Sequence, residues 1–106
     1  MPDVVVIATA HPAPGRIEEV LEIISGNVPT VHTEDGCLLY AVNRVGSDPE
    51  VVVFVERWSS TEALAAHGAS AHMAATGEKL GPLLAGPTDV WVGSAVPAGD
   101  PVKGAV

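Results

Sequence analysis

The chain has 106 residues, enough for one domain and too few for two ordinary ones. A hydrophobic content of 47% supports a packed core and excludes intrinsic disorder. Five scattered basic residues (Arg16, Arg44, Arg57, Lys79, Lys103) against thirteen acidic ones give a net charge of −8, which excludes the clustered positive surface that nucleic acids or anionic membranes require.

At the N-terminus, Val4 to Ala10 is a β-branched run closed by His11-Pro12-Ala13-Pro14-Gly15, which reads as a strand and a turn. The segment lacks the basic flank and cleavage pattern of a signal peptide and is far shorter than the roughly 20 apolar residues of a membrane span, so a cytoplasmic location is expected. From Gly15 onward, Ile17, Val20, Leu21, Ile24 and Val28 recur at helical spacing, with Glu18, Glu19 and Glu22 turned elsewhere. Pro29 is expected to end or kink this helix. Glu34-Asp35-Gly36 reads as a turn into a strand from Leu38 to Val45, and a second strand, Val51 to Trp58, follows after five residues, as in an antiparallel hairpin. Ser59-Ser60-Thr61-Glu62 has capping-box spacing with Ser59 as the cap. The helix that follows should break near Gly68 and restart at Ser70, with Met73, Gly77, Leu80 and Leu84 facing inward until Gly86-Pro87 stops it. Val90 to Val96 reads as a last strand. Residues 1–97 then form one domain, and the Pro- and Gly-rich residues 98–106 a flexible tail.

The order β-α-β-β-α-β specifies an α+β, ferredoxin-like fold with a four-stranded antiparallel sheet and helices on one face. In Val51–Trp58 both alternating faces are largely apolar: Val51, Val53 and Val55 on one side, Val52 and Phe54 on the other. A sheet covered by helices on one side only should carry a polar outer face, so a second copy of the sheet is expected to cover it, making a homodimer.

One polar–aromatic constellation stands out: Tyr40, Glu56, Trp58, His67 and His72. Glu56 and Trp58 share a strand face, and Tyr40 lies opposite Glu56 if Val42 pairs with Phe54, a register that the sequence leaves open. His67 follows Ala63 and Leu64 at i+4 and i+3, so it points inward, above that strand face. There it is placed as a proton carrier in an apolar pocket, with Glu56 holding one ring nitrogen. The same spacing fits a buried histidine with no chemistry. The pocket is expected between the sheet face bearing Phe54, Glu56 and Trp58 and the helices carrying His67 and Met73. Metal binding is not expected, because His67 and His72 are five apart and His-Glu-x-x-His is absent. Cys37, the one cysteine, has no nearby base and reads as a small strand residue. No glycine pattern or other fingerprint points to a nucleotide, haem or flavin cofactor.

The runs Glu34-Asp-Gly-Cys-Leu-Leu-Tyr40 and Glu56-Arg-Trp58-Ser-Ser-Thr-Glu-Ala-Leu-Ala-Ala-His67-Gly-Ala-Ser70-Ala-His72 resemble the antibiotic biosynthesis monooxygenase family, whose pattern reads roughly E-x-G-C-x-x-Y and E-x-W/Y-x-S-x-x-A-L-x-x-H-x-x-S-x-H. The resemblance spans about residues 3 to 97. It implies a dimeric α+β barrel in which two ferredoxin-like sheets pack face to face. It further implies cofactor-independent oxygenation of quinol, anthrone or related polycyclic phenols by O₂, needing a base, a water-poor cavity and a fixed orientation. On this resemblance His67 and Glu56 are the expected catalytic residues, and Tyr40, Trp58, Phe54, His72 and Met73 are expected to bind the substrate. Haem-degrading relatives share the fold but use an Asn on the first strand; Val4–Ala10 has none, with Thr9 as the nearest polar substitute. A non-catalytic dimer that binds a small molecule is the other alternative.

Overall fold

A computed structural model describes residues 3–106, so Met1 and Pro2, the first two residues of the expected domain, lie outside the described residues. Its elements are β1 (Val4–Ala10), α1 (Ile17–His32), β2 (Cys37–Val45), β3 (Val51–Trp58), α2 (Thr61–Gly68), α3 (Ala71–Leu80) and β4 (Asp89–Gly93), with a 3₁₀ turn at Gly81–Leu83. The strands form one antiparallel sheet in the order β2-β3-β1-β4, which is the ferredoxin-like arrangement. No helix among the described residues is long and apolar enough to cross a membrane.

Strand alternation decides what the sheet buries. Val4, Val6, Ala8 and Ala10 of β1 and Val52, Phe54, Glu56 and Trp58 of β3 are all buried beneath the helices, while their alternating neighbours are only half-buried. From α1, Val20, Ile24 and Val31 complete the core, with Ile17, Leu21 and Val28 packed around them. Burying these side chains, at about 1.5–3 kcal/mol for each large one, is the principal force holding helix to sheet.

Four local expectations need correction. Of the two outcomes expected at Pro29, an end or a kink, the end does not occur: helix α1 continues to His32 with Pro29 inside it. Proline there forfeits one helical hydrogen bond, but the added turn buries Val31 completely and lets His32 Nε2 reach the carbonyl of Tyr40 at 3.0 Å. The cap of α2 is Ser60, not Ser59, and its Oγ accepts from the Ala63 amide at 3.1 Å. Helix α3 ends at Leu80, well before Gly86, in the 3₁₀ turn that contains Pro82. The last strand spans only Asp89–Gly93, the stretch that pairs with β1.

Candidate functional site

The register of β2 on β3 pairs Val42 with Phe54 and Tyr40 with Glu56, so Tyr40, Phe54, Glu56 and Trp58 share the face beneath the helices. Above them α2 is short. It stops after Gly68, and Ser70 donates through Oγ to the carbonyl of His67 at 2.7 Å, closing one helix as the next begins. His67 therefore occupies the last turn of α2 and His72 the first turn of α3. Their five-residue separation, which would splay them on a continuous helix, here brings the ring centroids within 6.4 Å.

Both histidines converge on a residue that sequence reasoning had treated as part of a turn. Glu34 Oε2 lies 2.6 Å from His67 Nδ1, and Glu34 Oε1 lies 3.3 Å from His72 Nε2. The expected Glu56–His67 hydrogen bond is absent among the described residues; Glu56 Oε1 instead accepts from the indole Nε1 of Trp58 at 2.9 Å. The loop that delivers Glu34 depends on Gly36, whose φ is +81°. A Cβ there would stand 2.6 Å from both Ala63 Cβ and Ser59 Oγ, so only glycine lets this loop press against the start of α2. The Gly36 carbonyl in turn accepts from the Ser59 amide at 2.8 Å. The one available signal for Glu34 was its place at the head of the E-x-G-C pattern, two residues before that glycine.

Because a carboxylate can only accept, the contact with Glu34 assigns the proton to Nδ1 of His67 and leaves Nε2 as an acceptor. Among the described residues no protein group bonds Nε2, although His67 is only 6% exposed. His67 lies against Trp58 (centroids 4.6 Å) and Tyr40 (5.4 Å), which fix its plane.

His67 opens onto a cavity of about 450 Å³ between the sheet and helices α2 and α3. Tyr40, Phe54, Glu56, His67 and Met73 line it, while Ala8 and Ala10 form part of its floor. Trp58 and His72, expected on the wall, are not on it. Trp58 is fully buried behind Glu56 and His67, and His72 turns to Glu34 and to Asn27 Oδ1 at 3.0 Å. Asn27 also contacts Met73 Sδ through its amide at 3.3 Å, a link from α1 to α3 not foreseen from the sequence. Thr9 lies on the opposite face of β1 from the cavity, so it cannot substitute there for the strand Asn of the haem-degrading relatives. Among the described residues no group of three or more His, Cys, Asp or Glu is placed to hold a metal ion.

The electrostatics separate the polar groups by role. Burial, and then the charges of Glu56 and Glu34, push the Tyr40 phenol far above its usual range, so it is a hydrogen-bond donor and not a base. Burial, followed by the charges of Glu34 and Glu56, also pushes the Cys37 thiol up, away from the thiolate a nucleophile needs. Burial raises the Glu56 carboxyl as well, against the opposing hydrogen bond from Trp58 and the nearby His67, with Glu34 adding to the rise.

This shift predicts a pH dependence. A carboxyl raised by folding favours the native state fully below its unfolded pKa, and that contribution is lost as pH climbs through the folded value. Glu56→Gln keeps an acceptor for Trp58 Nε1 and removes the charge. The variant should therefore be more stable than wild type at pH 8, with the difference shrinking towards pH 4. A gain on the order of 1 kcal/mol corresponds to about 4–8 °C in Tm for a domain of this size. Thermal melts at both pH values and equal protein concentration check it; a variant less stable at pH 8 would show that the ionised carboxylate is a net stabilising group.

Residues 3–79 match the antibiotic biosynthesis monooxygenase family. No functionally curated protein matches the chain. Among solved structures, a Caulobacter crescentus protein provisionally named an antibiotic biosynthesis monooxygenase is 28% identical. It superposes with a TM-score of 0.83 over 90% of this chain and 91% of that one. Rv0793 from Mycobacterium tuberculosis is also 28% identical, with a TM-score of 0.80 over 92% and 99% of the two chains. A conserved protein from Methanosarcina mazei, 22% identical with a TM-score of 0.81 over 89% and 93%, shares the fold.

Proposed function

The chain belongs to the antibiotic biosynthesis monooxygenase family, and from that premise we propose that it oxygenates electron-rich polycyclic phenols or quinols with O₂ and no bound cofactor. The observation that carries this reading is the Glu34-held imidazole of His67, with Nε2 unbonded in the wall of a mostly apolar cavity. A phenolic hydroxyl placed at Nε2 gives up its proton there, while Nδ1–H stays on Glu34 and stabilises the imidazolium that forms. Tyr40, held as a neutral phenol, donates a hydrogen bond to the developing phenolate. The phenolate passes one electron to O₂, and the two radicals combine to form a C–O bond. Where that carbon bears hydrogen, loss of water from the hydroperoxide leaves a carbonyl, and His67 returns its proton to the departing oxygen. One oxygen atom enters the product and the other leaves as water.

The active unit in this reading is a cytoplasmic homodimer. Its supporting observation is the outer face of the sheet, where Val5, Ile7, Val51, Val53 and Val55 are only half-buried and Trp91 is 58% exposed. Oxygen-electrode traces with an anthrone or a dihydroxynaphthalene test the activity. Saturable uptake of one O₂ per probe, well above autoxidation in buffer, is the expected result. Binding of the probe without any acceleration would leave a non-catalytic binding protein as the correct reading.

A further inference from the structure

The cavity's ionisable groups gather at one end, and Thr76 and Thr88 are the other polar residues that line it. Glu56 and His67, each at least nine-tenths buried, face it with Oε2 and Nε2 free of protein hydrogen bonds among the described residues. Its other end runs over Ala8 and Ala10 towards Leu80, Leu84 and Val90, with Thr88 the one polar lining residue there. Along the inward face of β1 the residues change from Val4 and Val6 to Ala8 and Ala10, which lowers the floor of that apolar arm. The whole volume of about 450 Å³ is roughly three times the ~150 Å³ cavity that accommodates one benzene ring.

Gly77 lines this cavity from inside helix α3, at an exposed position on its rim. Glycine is unfavourable in a helix interior and needs a reason. The backbone supplies none, since Gly77 is not among the glycines with positive φ. Close packing supplies none either: a Cβ built at Gly77 meets no atom within 4 Å, in contrast to Gly36. Gly77 is exposed, so the space its missing side chain leaves is part of the solvent-open mouth of the apolar arm. We infer that Gly77 is the specificity-determining residue that sets how long a fused-ring system the cavity accepts, with the substrate hydroxyl at His67 and its far ring beneath Gly77. This inference rests on the proposed reading of His67 as the group that meets the hydroxyl.

Calorimetric binding of phenol, 2-naphthol and 2-anthrol to wild type, Gly77→Ala and Gly77→Leu tests it. Wild type should bind more tightly with each added ring. Gly77→Leu should keep phenol within about threefold and weaken 2-anthrol by about 10²-fold, the scale of an overpacked site. Gly77→Ala, a substitution that favours the helix, should fall between them and guards against a folding defect in the larger variant. Equal 2-anthrol affinities in wild type and Gly77→Leu, or an equal loss for all three ligands, would overturn the assignment of Gly77 alone. A wild-type protein that binds none of the three would overturn the functional reading together with it.

Discussion

Replacing His67 by Ala is expected to lower oxygen uptake on a quinol or anthrone probe by about 10²-fold or more, the usual contribution of a general base. The proton has one obvious destination in the cavity. Tyr40 is held as a neutral donor, and Glu56 has one oxygen engaged with Trp58 and, among the described residues, no partner carboxylate to stabilise its protonated form, whereas the imidazole of His67 has its Nδ1 fixed at 2.6 Å from Glu34. His67→Gln, which fills similar space and cannot take a proton, should be nearly as slow as His67→Ala. Two readouts separate chemistry from packing. Probe binding should survive in the Gln variant, and its residual rate should climb with pH as hydroxide ionises the substrate without the enzyme's help. Near-wild-type turnover by His67→Gln would make His67 a packing residue and leave Glu56, which lines the cavity, as the group to test.

The parts of this site that were legible in the sequence follow from strict periodicity. Alternation along Val51–Trp58 placed Phe54, Glu56 and Trp58 on one face, and the hairpin register then put Tyr40 opposite Glu56. Helical spacing turned His67 inward for the same reason. Glu34 escaped because it lies in a loop, where no period applies; its position comes from the positive φ of Gly36 and the contact with Ser59 and Ala63. The exchange of partners followed directly. With Glu34 on Nδ1 of His67, Glu56 is left to the indole of Trp58, a bond between i and i+2 on one strand that keeps Trp58 behind the wall and off it. The helix runs past Pro29 for a different reason: burial of Val31 outweighs one missing helical hydrogen bond, a tertiary effect that local propensity does not contain.

Val53→Asp should convert a dimer into a monomer while leaving the protomer folded. Val53 occupies the middle of the sheet, pairing with Thr9 of β1 on one side and Asn43 of β2 on the other, on the face turned away from the helices. Its half-buried state in a single chain comes from its strand neighbours alone, so a carboxylate there is solvated in the monomer and costs little. In a face-to-face dimer the same carboxylate loses its water and gains no partner, and two-fold symmetry makes the loss count twice. Each uncompensated buried charge costs about 3–5 kcal/mol, so the pair costs about 6–10 kcal/mol, which is about 10⁴–10⁷ in the dissociation constant. Sedimentation at micromolar concentration should show a dimer for wild type and a monomer for Val53→Asp, with unchanged far-UV circular dichroism. A wild-type monomer would end the dimer proposal, and a Val53→Asp dimer would move the interface off this face, to the edge strands β2 or β4. The dissociation also bears on the cavity: its roof and floor come from α3 and β1 of one protomer, so a folded Val53→Asp monomer should still bind a phenol. Loss of binding with dissociation would instead show that the partner chain completes the site.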